Sequence, residues 1–275
     1  MLDFTINTAT CTRCGECVAE CPARIIAMEE GGPAIAPDRE ASCYRCQHCL
    51  AICPTGAITI LGLKPTGSRP LSGTLPDPET MEALILRRRA VRRYKPENLD
   101  PELLQRLLDV AWNAPTGRNS RGVLFTVVDD REKLARLRDE VMEGLGRMVR
   151  EGRLPEGLEF FADIVRLWEE NGIDTLFRDA PHLLITSAPQ QCASPIPDCL
   201  IALSYFELFA QSNGIGTLWN GLTKLAVNDL LPGIRQHLGI PEDHVIGYAM
   251  SFGRPALRFH RTVQLGPANI HRVEL

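Results

Sequence analysis

The stretch CTRCGECVAECP, Cys11 to Pro22, returns 32 residues later as CYRCQHCLAICP, Cys43 to Pro54. Each copy has the pattern C-x2-C-x2-C-x3-C-P, which places three thiols on one tight loop and a fourth just before a proline that stops a helix from continuing. Eight of the ten cysteines of the chain lie in these two cassettes. A duplicated set of ligating residues therefore organises the first fifth of the chain.

The spacing of the cassettes predicts two [4Fe–4S] clusters. In a run of this kind the fourth cysteine binds the cluster of the other run, so the two cassettes have to work together. The first cysteine set is Cys11, Cys14, Cys17 and Cys53, and the second cysteine set is Cys21, Cys43, Cys46 and Cys49. The alternative is a double zinc knuckle that only stabilises a small fold, but zinc usually takes its four ligands as two pairs.

The composition is that of an ordinary soluble protein, with 275 residues, 44% hydrophobic and 23% charged. The net charge of −4 argues against a nucleic-acid partner. We expect neither a signal peptide nor a membrane span, because the N-terminus lacks a basic and apolar leader and no apolar run approaches 18 residues. This indicates a cytoplasmic protein, where thiols stay reduced and metal binding is favoured over disulfides.

The chain divides into three parts. Residues 1–61 hold the cassettes, and residues 62–78 form a linker with four prolines and three glycines. Residues 79–275 should form a larger domain of mixed helices and strands. The indicated elements are helices from Pro78 and Pro101, a strand in 123–130, a helical stretch in about 130–170, strands at 182–189 and 244–253, and a nearly all-apolar helix from Asp198.

Residues 1–61 resemble the bacterial-type two-cluster ferredoxins, and the cassettes carry that resemblance. It implies a small ferredoxin-like module of two pseudo-symmetric βαβ halves that transfers single electrons. The module has little apolar core, so the metal must stabilise it.

The arginine run, LRRRAVRRYKP from Leu86 to Pro96, holds five arginines and one lysine. A solvated basic face is one interpretation, and forked contacts to phosphate oxygens are the other. No complete Rossmann motif, P-loop or nucleophile elbow occurs in the chain.

The order of RRAVRRY, DPELLQRLLDVAWNAPTGRNSRG, GIGTLWNG and GYAMSFGRP resembles the FMN-dependent nitroreductase family over about residues 79–262. The resemblance implies an α+β domain in which a mostly antiparallel sheet is flanked by helices. It also implies FMN and a homodimer whose subunits share the flavin clefts. The helix from Asp198 is our candidate for the dimer core.

The same resemblance implies a set of FMN-binding residues. Arg88, Arg89 and Arg92 match the run that grips the phosphate, although Ala90 stands where the family has serine. The segment that reaches the flavin from the partner subunit corresponds to Pro115, Thr116 and Asn119, whereas Arg121, Gly122 and Val123 depart from the family's Q-P-W. The segment near flavin N5 corresponds to Leu218, Trp219, Asn220 and Gly221, and Arg258 and Arg261 are candidates to complete the phosphate site. No catalytic residue is assigned, and the six histidines lack metal-binding spacing.

The fusion of the two parts favours an oxidoreductase in which electrons pass between two [4Fe–4S] clusters and FMN. The acceptor would be a small organic molecule such as a nitroaromatic, a quinone or an activated alkene. A second hypothesis is an electron-transfer or redox-sensing protein that delivers electrons to a partner protein. It draws on the acidic first module, in which four arginines stand against seven acidic residues over 1–63. A third hypothesis is that NAD(P)H reduces the FMN and that electrons leave through the clusters. The donor is therefore a redox protein or NAD(P)H, and the substrate and the direction of flow stay open.

Overall fold

The computed structural model describes residues 2–71, 73 and 75–275. Its contacts form two compact units. One contains Met1–Pro76 together with Arg118–Arg121, and the other contains Asp77–Gly117 and Gly122–Leu275. No helix within the described ranges is long and apolar enough to cross a membrane.

The first unit repeats the order strand, helix, strand. Its elements are β1 (Thr5–Ile6), α1 (Glu16–Ala19), β2 (Ile26–Glu29), β3 (Gly32–Ile35), α2 (His48–Ile52) and β4 (Ile58–Thr59). Strand β1 pairs antiparallel with β4, and β2 pairs antiparallel with β3. This order agrees with the two βαβ halves that the ferredoxin resemblance implies.

The apolar core of the first unit is small. Among the described residues it contains eight buried residues, and two of them are cassette cysteines, Cys17 and Cys49. Four aliphatic members, Ile25, Ile26, Ile58 and Ile60, lie in or beside β2 and β4, whereas Leu2 precedes β1 and Leu50 lies in α2. A core of this size gives limited stability, which fits a module that depends on a bound group.

The second unit contains a four-stranded sheet with helices on both faces. Its elements are α3 (Pro78–Arg87), α4 (Pro101–Ala111), β5 (Leu124–Val128), α5 (Arg131–Arg150), α6 (Phe161–Asn171), β6 (His182–Pro189), α7 (Pro195–Ser212), β7 (Gly216–Trp219), α8 (Gly221–Leu225), α9 (Pro232–His237) and β8 (His244–Gly253). The strands lie in the order β5-β6-β8-β7, and every neighbouring pair is antiparallel. The predicted α+β class with a mostly antiparallel sheet is confirmed.

Alternation along β6 separates two cores. Leu183 and Ile185 pack in a cluster with α5 and α6, whereas Leu184 packs in a cluster with α4 and α7. Successive side chains of a strand point to opposite faces, so one fully buried strand serves both layers. The central strands are thereby covered on both sides, and the sheet supports the polar groups gathered around β7.

The helices predicted from Pro78 and Pro101 each begin after an aspartate whose side chain caps the helix. Asp77 accepts a hydrogen bond from the Thr80 amide, and Asp100 accepts one from the Leu103 amide. Helix α7 begins at Pro195, three residues before the predicted start at Asp198, because proline is favoured in the first turn of a helix.

Candidate functional site

The first and second cysteine sets each line one cavity of the first unit. One cavity is bordered by all four members of the first set, and another is bordered by all four members of the second. Each cavity therefore receives three thiols from one cassette and the fourth from the other, which is the grouping that the spacing predicts.

Short helices hold the thiols of each cassette. Cys17 is buried in α1 and Cys49 is buried in α2, and the residue before each helix, Gly15 or Gln47, has a left-handed backbone. Such a conformation turns the chain sharply, so that the preceding cysteines face the same cavity as the helical one. The two loops thus present their thiols in the same way.

The thiol environments differ from that of a free cysteine in water. Burial raises the pKa of the Cys17 thiol, and it raises that of Cys49 to about 11. Thiolates bind metal, so loading this site has to release protons.

The cavities suit a cluster better than a single ion. Within the described residues, no three His, Cys, Asp or Glu side chains converge closely enough to hold one metal ion. A single zinc ion needs its thiolates at about 2.3 Å, whereas a cubane spreads its four thiolates over four irons. The donor set, all cysteine, also fits iron–sulfur chemistry.

In the second unit, the arginine run lies beside β7. Ala90 forms a parallel bridge with Thr217, and the Val91 amide donates to the Thr217 carbonyl at 2.9 Å. Gly216 allows this approach, since an added Cβ would lie 2.5 Å from a Val91 side-chain atom. The candidate phosphate residues and the candidate N5 segment are therefore adjacent.

A buried carboxylate connects these two segments. Glu207 of α7 is 6% exposed, and its Oε1 accepts from Thr217 Oγ1 at 3.0 Å and from Arg88 at 3.4 Å. Its Oε2 accepts from Trp219 Nε1 at 3.0 Å. No role was predicted for Glu207, although an acidic residue in the middle of the largely apolar helix α7 was the available signal.

The other arginines of the run retain donors for an anion. Arg89 donates to the Arg88 carbonyl, and Arg92 donates to the Ala90 carbonyl at 3.5 Å. Neither arginine forms an ion pair with any carboxylate that the structure describes. Since guanidinium groups are effectively always charged, their positive charge remains available to a phosphate.

The Asn220 side chain forms hydrogen bonds within the second unit. Its side chain is buried and donates to the Leu176 carbonyl at 2.8 Å and to Ser251 Oγ at 2.9 Å. Its side-chain oxygen caps α8 by accepting from the Thr223 amide. Asn220 thus supports the turn that presents Gly221, and its side chain is fully used within the protein.

Gly221 and Leu218 complete this segment. A Cβ added to Gly221 would lie 2.9 Å from the Tyr248 hydroxyl, so the chain passes too close to Tyr248 for a larger residue. Leu218 pairs with Ser251 of β8. The Trp219 ring packs edge to face on the Tyr248 ring, with centroids 5.4 Å apart.

The structure separates the Pro115–Asn119 segment into two parts. Pro115 and Thr116 lie in the second unit, where the neighbouring Gly117 amide donates to the buried Asp198 carboxylate at 2.9 Å. Asn119 groups with the first unit, and its side-chain amide donates to the Tyr44 carbonyl at 3.0 Å. Arg118, Asn119 and Arg121 all have left-handed backbones.

The late basic residues lie after β8. Tyr94 bridges to Pro255, and the Ala256 amide donates to the Arg93 carbonyl at 2.9 Å, so the chain leaves β8 beside the arginine run. Arg258 follows two residues later and is exposed, as is Arg261. No hydrogen bond or ion pair within the described part of the chain joins either residue to Arg88, Arg89 or Arg92.

Comparison with known proteins agrees with this description. The nitroreductase family model matches residues 85–254, and a 4Fe-4S dicluster domain model matches residues 10–58. A protein from Methanothermobacter thermautotrophicus, named as an NADH dehydrogenase/NAD(P)H nitroreductase, is 28% identical over 68% of this chain and 82% of its own length.

Two solved structures are similar to the chain. A nitroreductase with bound FMN from Bacteroides fragilis is 23% identical, with a TM-score of 0.56 over 70% of this chain and 98% of its own. A nitroreductase with bound FMN from Desulfitobacterium hafniense is 26% identical, with a TM-score of 0.54 over the same shares.

Proposed function

Because the chain belongs to the nitroreductase family and carries an N-terminal ferredoxin module, we propose that it is an FMN-dependent oxidoreductase fed by two [4Fe–4S] clusters. Electrons pass between the clusters and FMN, and they reduce a small organic acceptor. The acceptor classes that we favour are nitroaromatics, quinones and activated alkenes.

The observation that carries this proposal is the pair of cysteine-lined cavities. Each contains four thiols, and each is completed by the fourth cysteine of the opposite cassette. Thiolate ligation with this crossover is characteristic of two-cluster ferredoxins, which hold two cubanes. The first cysteine set would hold one cluster and the second set the other.

The surroundings of the arginine run fit an FMN phosphate. Arg88, Arg89 and Arg92 supply guanidinium donors, and Arg258 or Arg261 would add another. Arg88 is partly fixed by Glu207, which leaves its other donors free for forked contacts to phosphate oxygens. When bound, FMN accepts one or two electrons and transfers a pair to a substrate.

The residues of β7 and the turn after it would border the flavin ring. Leu218, Trp219 and Gly221 provide apolar surface and closely approaching backbone, and Asn220 fixes the turn. Pro115 and Thr116, and Asn119 beyond them, would approach the flavin of the partner subunit in a homodimer. Helix α7, which is apolar on nearly every face, is our candidate for the dimer core.

The covalent fusion would make electron transfer efficient. We place domain boundaries at 1–61, 62–78 and 79–275. An r.m.s. reach of roughly 20–25 Å is expected for a random coil of about 17 residues, and a tether of this length raises the effective concentration of the module. A redox protein or NAD(P)H would supply the electrons, and the protein would work in the cytoplasm.

Anaerobic purification followed by iron, sulfide and FMN analysis tests this proposal. We expect about eight irons and about one FMN per chain. Reduced protein should then reduce a nitroaromatic with multiple turnovers, whereas a Cys14→Ser/Cys46→Ser variant should keep FMN but lose electron supply from the clusters. Zinc in place of iron, or protein without flavin, would overturn the assignment. Tight binding to one redox protein without turnover would favour an electron-transfer role instead.

A further inference from the structure

The two cassettes differ in the residues that follow the fourth cysteine. The sequence runs CPTGA from Cys53 to Ala57 and CPARI from Cys21 to Ile25. Thr55 therefore corresponds to Ala23 in the repeat. One half of the duplicated module has a hydroxyl two residues after its last ligand, and the other half has a methyl group.

The hydroxyl lies at the ligand sulfur. Thr55 Oγ1 is 3.7 Å from Cys53 Sγ, within the range of hydrogen bonds to sulfur, and the Ala57 amide donates to the same Sγ at 3.2 Å. A cysteine that binds iron is a thiolate and has no proton to donate. The Thr55 hydroxyl must then be the donor.

The effect of such a bond on a cluster has a definite sign. A donor at the ligand sulfur stabilises negative charge, and the reduced cluster carries one more negative charge than the oxidised one. Reduction therefore becomes easier, and the potential rises. Hydrogen bonds to cluster sulfurs are among the factors that set this potential.

Backbone amides also donate to ligand sulfurs in both sets. The Ala57 amide donates to Cys53 in the first set, and the Arg45 amide donates to Cys43 at 3.3 Å in the second set. Further amides reach the first set, from Thr55 and Gly56 to Cys53 and from Val18 to Cys17, and the Leu50 amide reaches Cys49 in the second. These amides act in the same direction as the Thr55 hydroxyl, which is the one side-chain hydroxyl at a sulfur of either set among the described residues.

The cavity linings point in the same direction. Aliphatic residues of the second cavity include Ile25, Ile26, Ile35 and Ile60, whereas Thr12, Arg13 and Glu16 border the first. Added negative charge costs more beside apolar walls. Arg13 and Glu16 have opposite charges that offset each other.

We infer that the Thr55 hydroxyl sets the cluster of the first cysteine set at a higher reduction potential than the cluster of the second set. This inference rests on the proposed presence of two clusters. Electrons that enter the module would then collect on the first-set cluster. Thr55 is a positioning and tuning residue that acts through Cys53 and does not touch the substrate.

The test is an anaerobic redox titration of the full-length protein, followed by EPR of the reduced clusters. Thr55→Val keeps the shape of the side chain and removes the donor. We expect the higher of the two potentials to fall by on the order of 60 mV, a tenfold change for a one-electron couple. The reciprocal Ala23→Ser variant should raise the lower potential.

Three controls make the result specific. Thr55→Ser retains a hydroxyl and should restore most of the wild-type potential. Thr10→Ala removes an exposed hydroxyl that bonds only the Asn7 carbonyl, so it should change neither potential. Unchanged potentials in Thr55→Val with iron content retained would overturn the inference. A wild-type iron and sulfide analysis without two clusters would instead refute the proposed function.

Discussion

Two substitutions of Glu207 distinguish the contribution of its hydrogen bonds from that of its charge. Glu207→Leu removes both, whereas Glu207→Gln removes only the charge. In Glu207→Leu the Trp219 indole N–H and the Thr217 hydroxyl lose their acceptor in a buried site. An unsatisfied buried donor costs about 1–3 kcal/mol. The two together cost about 2–6 kcal/mol, and the added apolar surface of leucine offsets part of this, so we expect the free energy of unfolding to fall by about 2–4 kcal/mol.

Glu207→Gln should cost much less. The glutamine oxygen can accept from Trp219, and its amide can donate to the Thr217 hydroxyl, which can reverse its role because it is both donor and acceptor. Only the pair with Arg88 is lost, and the Arg88 side chain is 39% exposed. Such pairs contribute about 0–1 kcal/mol. We therefore expect a loss of about 1 kcal/mol.

Urea unfolding of the holoprotein, followed by tryptophan fluorescence and circular dichroism, measures both costs. Ser204→Ala is the matched control on the same helix, because Ser204 Oγ bonds only the Leu200 carbonyl. In a Trp219→Phe background the leucine substitution should cost about 1–3 kcal/mol less, since one of the stranded donors is gone. Equal costs for the leucine and glutamine variants would refute this account of the network.

Three further predictions test other parts of the molecule. Cys21→Ser should remove the cluster of the second cysteine set, and the iron content should fall from about eight to about four per chain. Iron analysis and EPR measure this change. Loss of the first-set cluster instead would contradict the crossover. Arg88→Ala should weaken FMN binding about tenfold or more in fluorescence titrations but leave riboflavin, which lacks the phosphate, nearly unaffected; Arg93→Ala is the control. His182 is fully buried, and burial lowers its pKa. The unfolded chain therefore takes up the proton first, and stability is lost as pH falls below about 6.5, by up to about 1.4 kcal/mol per pH unit. His182→Gln should flatten the dependence of the urea midpoint between pH 7.5 and 5.5, and an unchanged slope would assign it to other groups.

Elements with strong local signals were predictable from the sequence. Strands β6 and β8 have the predicted bounds, 182–189 and 244–253, because each is a continuous apolar run that a buried central strand requires. The caps at Asp77 and Asp100 also follow from local chemistry. The grouping of the cysteines follows from spacing alone, since the cassettes repeat with every ligand in place.

Features that depend on distant partners were not predictable. Strand β7 has four residues, too few for a periodic pattern, and it is a strand because β8 lies beside it. Glu207 acquires its partners from residues 88, 217 and 219, which no local pattern connects. The hydrogen bonds from the Asn220 side chain to Leu176 and Ser251 likewise arise only from the tertiary fold.

The crossover of Cys21 and Cys53 has a consequence for chain entropy. With clusters bound, the first set would close a loop from Cys17 to Cys53, and the second set would close a shorter loop from Cys21 to Cys43 inside it. Each closure acts on the unfolded chain as a cross-link does, and a disulfide closing a loop of similar length contributes about 3–4 kcal/mol. The nested links would restrict the β2–β3 hairpin from both sides. A module with only eight core residues can thus fold cooperatively, and loss of either cluster would loosen the same segment of chain.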